Sequence, residues 1–277
     1  MKNNILEKFN LKNTVCVITG GAGLFGPKHA EAILSVNGRV ALIDINERAL
    51  GLKVKELNRK YSNKIRGYKL DITDEGNIKK TVRKIISEMG SIAILINNAA
   101  NDAKVERGLE KLTRLENLPL SVWHKDFDVG VTGAFLMSRI IGSLMAKNKK
   151  GVILNIASDL GVIAPDQRIY QKNKLNPGEQ PVKSVSYSVT KHALIGLTKY
   201  LATYWADKGV RVNSISPGGI FNEGLSKDFV AKLTNLIPMG RMADADEYKA
   251  AILFLCSDAS SYMTGANLVI DGGRTVW

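Results

Sequence analysis

Thr14-Val15-Cys16-Val17-Ile18-Thr19-Gly20-Gly21-Ala22-Gly23-Leu24-Phe25-Gly26 decides how the rest of the chain is read. The run from Thr14 to Thr19 is apolar and rich in β-branched residues, as a strand buried on both faces must be. It stops at glycines, and Gly21, Gly23 and Gly26 complete G-x-G-x-x-G, the pattern of strand, tight turn and helix start. Glycines let the backbone turn and come close to a ligand. The next helix then points its free N–H groups and positive dipole end at a pyrophosphate. A plain structural turn carries the same letters, so the following strand matters. That strand, Arg39 to Ile43, ends in Asp44, 23 residues after Gly21, with no Arg directly behind it (Ile45, Asn46). A carboxylate there accepts hydrogen bonds from both hydroxyls of an adenosine ribose and repels a 2′-phosphate. The expected cofactor is NAD.

The alternation continues. A helix is expected from Glu47 to Tyr61, a strand from Ile65 to Leu70 ending in Asp71, and a helix from Asp74 to Met89. Strands alternating with helices imply a parallel sheet covered on both faces. The strand Ile92 to Ile96 runs into Asn97-Asn98-Ala99-Ala100, small residues and amides at the carboxyl edge, where open α/β sheets bind ligands; the same four residues also suit a simple strand-ending turn. A polar excursion from Asn101 to Pro119 carries Asp102, Glu106, Glu110 and Glu116 against Lys104, Arg107, Lys111 and Arg114. A long helix, Leu120 to Lys147, precedes the strand Val152 to Ile156, which puts Ser158 at a strand end where a hydroxyl can bond a substrate oxygen. Tyr187 and Lys191 are four apart, so a helix presents them on one face. An ammonium beside a phenol favours the phenolate and brings proton exchange toward neutral pH, although an exposed Tyr/Lys helix pair has the same spacing. Later elements are a helix from Ser186 to Lys208, a strand from Val210 to Ile215, a mobile segment from Phe221 to Met239, a helix near Asp244 to Cys256 and a strand from Asn267 to Ile270.

The chain has 277 residues, room for a substantial core, and is expected to form a single domain over 1–277. Lys and Arg number 39 against 26 Asp and Glu, a net charge of +13. The densest basic runs, Lys79-Lys80 with Arg83-Lys84 and Lys147 with Lys149-Lys150, fall at helix positions, the pattern of a solvated face, so no specific nucleic acid partner is expected. Cys16 and Cys256 sit in apolar runs without a partner at metal-like spacing, so no metal site is expected. The first residues are too polar for a signal peptide, and no apolar run is read as approaching a membrane span. A cytoplasmic protein without membrane contact is the expectation.

In order, T-G-x-x-G-x-x-G from Thr19, Asp44, Asp71, Asn97-Asn98-Ala99-Ala100, Ser158, Tyr187-x-x-x-Lys191, Asn213 to Ile220, Thr264-Gly265 and Asp271-Gly272-Gly273 resemble the short-chain dehydrogenase/reductase family over Lys12 to Gly273. The resemblance implies a doubly wound seven-stranded parallel sheet of order 3-2-1-4-5-6-7, and hydride transfer between a nicotinamide and a hydroxyl or carbonyl carbon. Carried over by position, it makes Tyr187 the general acid/base, Lys191 the ribose-holding cation and Ser158 the group orienting the reacting C–O. It places Gly20, Gly23, Leu24, Phe25, Gly26, Asp44 and Ile45 on the cofactor, joined by Asp71, Ile72, Asn98, Ala99, Pro217, Gly218 and Ile220. Relatives usually form homodimers or homotetramers through the two long helices. Similarity to members from bacterial surface-sugar pathways suggests a small polar substrate such as a sugar derivative.

Three departures accompany the resemblance. The single-domain branch usually reads T-G-x-x-x-G-x-G, whereas Gly23 and Leu24 shift that spacing here. In Asp128-Val129-Gly130 the third position normally holds an asparagine that supports a relay water; Gly130 puts that relay in doubt and leaves a cofactor-binding sensor or scaffold as the alternative. Finally, 29 residues separate Ser158 from Tyr187, enlarging the loop 164–184. Its Arg168, Lys172, Lys174 and Lys183 outnumber Asp166 and Glu179, the composition of a flap that clamps an anionic substrate, or of a solvated insertion or subunit contact.

Overall fold

The computed structural model describes residues 4–101, 110–173 and 175–277; Lys174 and the charged run 102–109 lie outside the described residues. Seven strands, β1 (Val15–Thr19), β2 (Arg39–Asp44), β3 (Ile65–Lys69), β4 (Ile92–Asn97), β5 (Gly151–Ile156), β6 (Val210–Pro217) and β7 (Asn267–Ile270), form one sheet. All pairings are parallel and the order is β3-β2-β1-β4-β5-β6-β7, as expected for this doubly wound architecture. Order and direction follow from the crossovers: each helix returns the chain to the strand amino ends, so every strand finishes at one shared carboxyl edge.

β1 shows why the sheet must be covered on both sides. Val15 and Val17 face one core, Cys16 and Ile18 the other, and all four are buried. The first core is closed by α3 (Glu75–Met89), α5 (Ala134–Lys147) and α6 (Val185–Tyr204), through Ile78, Ile85, Met137, Ile141 and Leu201 among others. The second is closed by α1 (Gly26–Ser35), α2 (Glu47–Tyr61) and α8 (Lys249–Cys256), through Ile33, Leu50, Leu57, Ile252 and Leu255. A fully buried side chain of this size contributes about 1.5–3 kcal/mol relative to an exposed one, so the two layers carry most of the stability.

Two expectations need correction. Leu120 to Lys147 is not one regular helix: α4 (Leu120–Phe127) passes through a π-helical turn, Asp128–Gly133, into α5. By length and composition that stretch does suffice to cross a membrane, contrary to the reading that no run approaches a span. Here its apolar side is a core face, with Met137, Ile141 and Met145 fully buried. Phe221 to Met239, read from the sequence as a mobile segment, holds a regular element. It contains α7 (Lys227–Thr234), capped by Ser226 Oγ accepting from the Phe229 N–H at 3.2 Å, and it buries Leu233 and Ile237.

α1 meets the sheet through glycine and histidine. A Cβ on Gly26 would lie 2.5 Å from Gly20 O and 2.7 Å from Gly21 Cα, so only glycine lets the helix start against the turn. Three residues on, His29 is buried beside the Phe25 ring, the two centroids 5.7 Å apart. Burial pushes its imidazole down to about 4, with the Asn98 side chain opposing. An unfolded imidazole titrates near ~6.5, so between those values the unfolded chain holds a proton that the folded chain lacks, and stability falls as pH drops through that window. His29→Gln should therefore lose stability less steeply than the wild type from about pH 6.5 to about pH 4, as read from urea titrations; equal slopes would place the acid sensitivity elsewhere.

Candidate active site

Where β1 ends, Thr19 Oγ1 accepts the N–H groups of Asn98 and Ala99, each at 3.0 Å, and the Asn98 side-chain amide donates to the carbonyls of Thr19 (2.9 Å) and Gly20 (3.1 Å). Gly20 adopts φ +66°, and a Cβ there would lie 2.9 Å from Ala99 Cα; neither is open to an L side chain. Asp44 braces the turn from the other side, accepting the Ala22 N–H and the Asn46 N–H at 2.9 Å each. A cleft of about 520 Å³ opens along this carboxyl edge. Gly20, Gly23, Leu24 and Phe25 line it, with Asp44, Ile45, Asp71 and Ile72, and with Asn98, Ala99, Pro217, Gly218 and Ile220. Of the expected cofactor residues, Gly26 alone is absent from the lining, because its part is the packing described above. The first turn of α1 has no side-chain cap and Pro27 within it, which leaves backbone N–H groups for an anionic ligand. The donor set suits a dinucleotide: bare glycine backbone that would accept phosphates and a carboxylate that would accept ribose hydroxyls.

Ser158, Tyr187 and Lys191 line the same cleft. α6 brings the last two there and is locked to the sheet by a buried polar chain. Asn97 Nδ2 donates to Asn155 Oδ1 at 2.8 Å, and Asn155 Nδ2 donates to Thr198 Oγ1 at 2.8 Å. Buried Lys191 donates to the Ile156 carbonyl at 2.9 Å. Lys183 Nζ lies 3.7 Å from the centre of the Tyr187 ring and Lys191 Nζ 5.6 Å from it, so two ammonium groups attend the phenol. Ser158 Oγ donates to Asp159 Oδ1 at 2.8 Å, and Asp159 Oδ2 pairs with Arg274 Nη1 at 2.5 Å; both charged side chains are buried.

This constellation has close counterparts. A short chain dehydrogenase profile matches residues 14–174, and a second, enoyl-(acyl carrier protein) reductase, matches residues 178–275. The chain belongs to the short-chain dehydrogenase/reductase family. It is 35% identical over 275 residues to the NAD-dependent glycerol dehydrogenase of Listeria innocua, covering 98% of this chain and 97% of that protein. It is 34% identical over 279 residues to the NADP-dependent mannitol dehydrogenase of Alternaria alternata, covering 98% and 95%. The solved short chain dehydrogenase of Leptospira borgpetersenii with bound NAD+ superposes with a TM-score of 0.82 at 33% identity, over 99% of this chain and 97% of that one. The chain is thus an oxidoreductase of this family that uses a nicotinamide cofactor.

In this family member the enlarged loop is a structured flap, and it does not present its cations as expected. Arg168 is 80% exposed and outside the cleft lining; its guanidinium grips Asp166 at 2.6 Å and holds that carboxyl down at about 2. Lys172 is also exposed and outside the lining, while Gln180 ties the flap together by accepting the Lys172 N–H at 2.8 Å and donating to the Leu175 carbonyl at 2.7 Å. Of the described basic residues in the flap, Lys183 reaches the cleft. What the flap otherwise turns inward is apolar: Ile169 is buried against Leu233, Ile237 and Met242, with Tyr170 beside it. Apolar spacing in the flap and in α7 was the available signal for these contacts. Asp159 and Arg274 were missed, and nothing local announces a pair 115 residues apart.

Gly130 sits buried in the π-helical turn, with space for a methyl group in contact with Thr190. A Cβ there would lie 3.4 Å from Thr190 Cβ, an ordinary contact, and φ is not in the left-handed region. Gly130→Ala should therefore fold and gain about 0.5–1 kcal/mol from the less flexible unfolded chain, read as a higher urea midpoint at unchanged slope; a loss of stability would show that the bulged turn needs glycine.

Proposed function

We propose that this protein is an NAD-dependent dehydrogenase that interconverts a secondary hydroxyl and a carbonyl on a polyol or sugar-like substrate. The observation that carries the reading is that Asp44, Ser158, Tyr187 and Lys191 line one cleft. A bound nicotinamide supplies the hydride acceptor or donor. The chain's own groups do the rest. Ser158 Oγ orients the reacting C–O; Tyr187 takes the hydroxyl proton during oxidation and returns it during reduction; Lys191 and Lys183 stabilise the negative charge that the phenol oxygen carries between the two. Lys191 is held for this by the Ile156 carbonyl. The polyol class is supported by the glycerol and mannitol dehydrogenases among the relatives. Apolar Phe135 and Leu144 on α5, with the stacked Tyr200 and Tyr204 on α6, all exposed, support self-association through those helices.

Hydride transfer is tested by NADH absorbance with a panel of polyols and sugars. Tyr187→Phe should keep NAD affinity and lose about 10²–10⁴-fold in turnover, the usual worth of a positioned proton-transfer group. Retention of more than about a hundredth of the activity would remove Tyr187 from proton transfer.

The cofactor preference has its own measurement. NAD should bind more tightly than NADP, because a 2′-phosphate would meet the Asp44 carboxylate, which is already fixed by two backbone N–H groups. Equal affinities in calorimetry would refute this, and Arg48 would then be the residue to examine as a phosphate partner.

A further inference from the structure

We infer that Arg274 and Asp159 form a hydroxyl-reading site for the substrate, selecting compounds that carry a second, neutral hydroxyl beside the reacting carbon. The inference rests on the reading that Ser158 and Tyr187 face that carbon. Arg274 is buried, yet it is one of the residues that line the cleft. Nη1 is committed to Asp159, whereas Nη2 is buried and has no hydrogen-bond partner among the described residues. Buried guanidinium N–H groups are rarely left unpaired, so a ligand oxygen is the missing partner. The chain makes an effort to put it there. Gly272 and Gly273 take φ of +67° and +89°, and Asp271 accepts the N–H groups of Gly273 (2.9 Å) and Thr275 (2.8 Å), a turn that swings Arg274 back from the end of β7.

The remaining valences choose the kind of oxygen. A carboxylate offers about four lone-pair sites. On Asp159 three contacts are taken, by Ser158 Oγ, the Leu160 N–H and Arg274 Nη1. One acceptor site on Asp159 and the two N–H groups of Arg274 Nη2 thus remain, on side chains joined by the Nη1 contact. A hydroxyl satisfies both, accepting from Nη2 and donating to the carboxylate. A substrate carboxylate satisfies only the first and sets a second negative charge against Asp159, whose charge already balances Arg274. Because Asp159 also receives the Ser158 hydroxyl, the pair sits one hydrogen bond from the group that orients the reacting C–O.

The test compares two alcohols that share a reacting carbon, butane-2,3-diol and butan-2-ol, with NAD+ as acceptor. The wild type should prefer the diol in kcat/KM. In the paired variant Asp159→Asn with Arg274→Gln, which leaves no orphan buried charge, that preference should fall about tenfold or more, chiefly through KM of the diol, as for loss of a charge-assisted hydrogen bond. Arg274→Lys, which keeps the charge and loses the second N–H, should fall between. An unchanged diol-to-alcohol ratio in both variants overturns the inference, as does a wild-type preference for 2-hydroxybutyrate over the diol. If the wild type oxidises neither alcohol, hydride transfer on such alcohols is refuted separately and binding decides: D-mannitol should raise the melting midpoint of the NAD+-saturated wild type and not of the paired variant, and an equal shift or no shift overturns the site.

Discussion

The buried chain Asn97–Asn155–Thr198 holds the reactive end of the cleft in register. Asn155 and Thr198 are fully buried and Asn97 nearly so, and Asn97 also donates to Ser138 on α5 at 2.9 Å. A polar group that deep is costly unless paired, so a slip of α6 by one residue would strand several at once. β4, β5, α5 and α6 are therefore tied to one another by the same few atoms. α6 in turn delivers Tyr187 and Lys191 from its first turns, close to the end of β5 that delivers Ser158. Placement of the chemistry follows from satisfying amides in the core.

The two parts of the site solve different problems. The glycine part uses backbone: Gly20 and Gly26 exist so that chain segments can approach within distances a Cβ would forbid. The other part uses charge. Lys183 and Lys191 flank the Tyr187 ring, and Asp159 with Arg274 sits against Ser158. A buried ion pair is poor value for stability, since desolvation consumes much of the attraction. Its position on the lining, with Arg274 Nη2 unpaired among the described residues, makes recognition the better physical explanation. Ile169, Leu233 and Met242 close the same region with apolar surface, which strengthens any polar contact made inside it.

The flap shows how a count of charges misleads. Four basic residues between Ser158 and Tyr187 read as an anion clamp, but Asp166 lies two residues before Arg168 and captures it by both backbone and side chain. Such a short-range Asp turn is legible in sequence, and it outcompetes a distant ligand. Lys183 differs because it immediately precedes Ser184, the N-cap of α6, and its ammonium lies over the Tyr187 ring.

The sequence by itself determined what depends on neighbours in the chain: β1 with its glycine turn, Asp44 at the end of β2, the alternation that makes the sheet parallel, and the four-residue spacing that stacks Tyr187 and Lys191. Periodicity, turn chemistry and helix geometry act over a few residues, so they are written where they operate. Tertiary structure decided the rest. It broke Leu120 to Lys147 at a π-helical turn, buried Leu233 and Ile237 within Phe221 to Met239, turned Arg168 to solvent, and joined Asp159 to Arg274 across 115 residues. Those outcomes depend on which surfaces meet when the sheet is covered, and contacts between residues far apart in the chain are set by packing and by the pairing of buried charge, which no local pattern records.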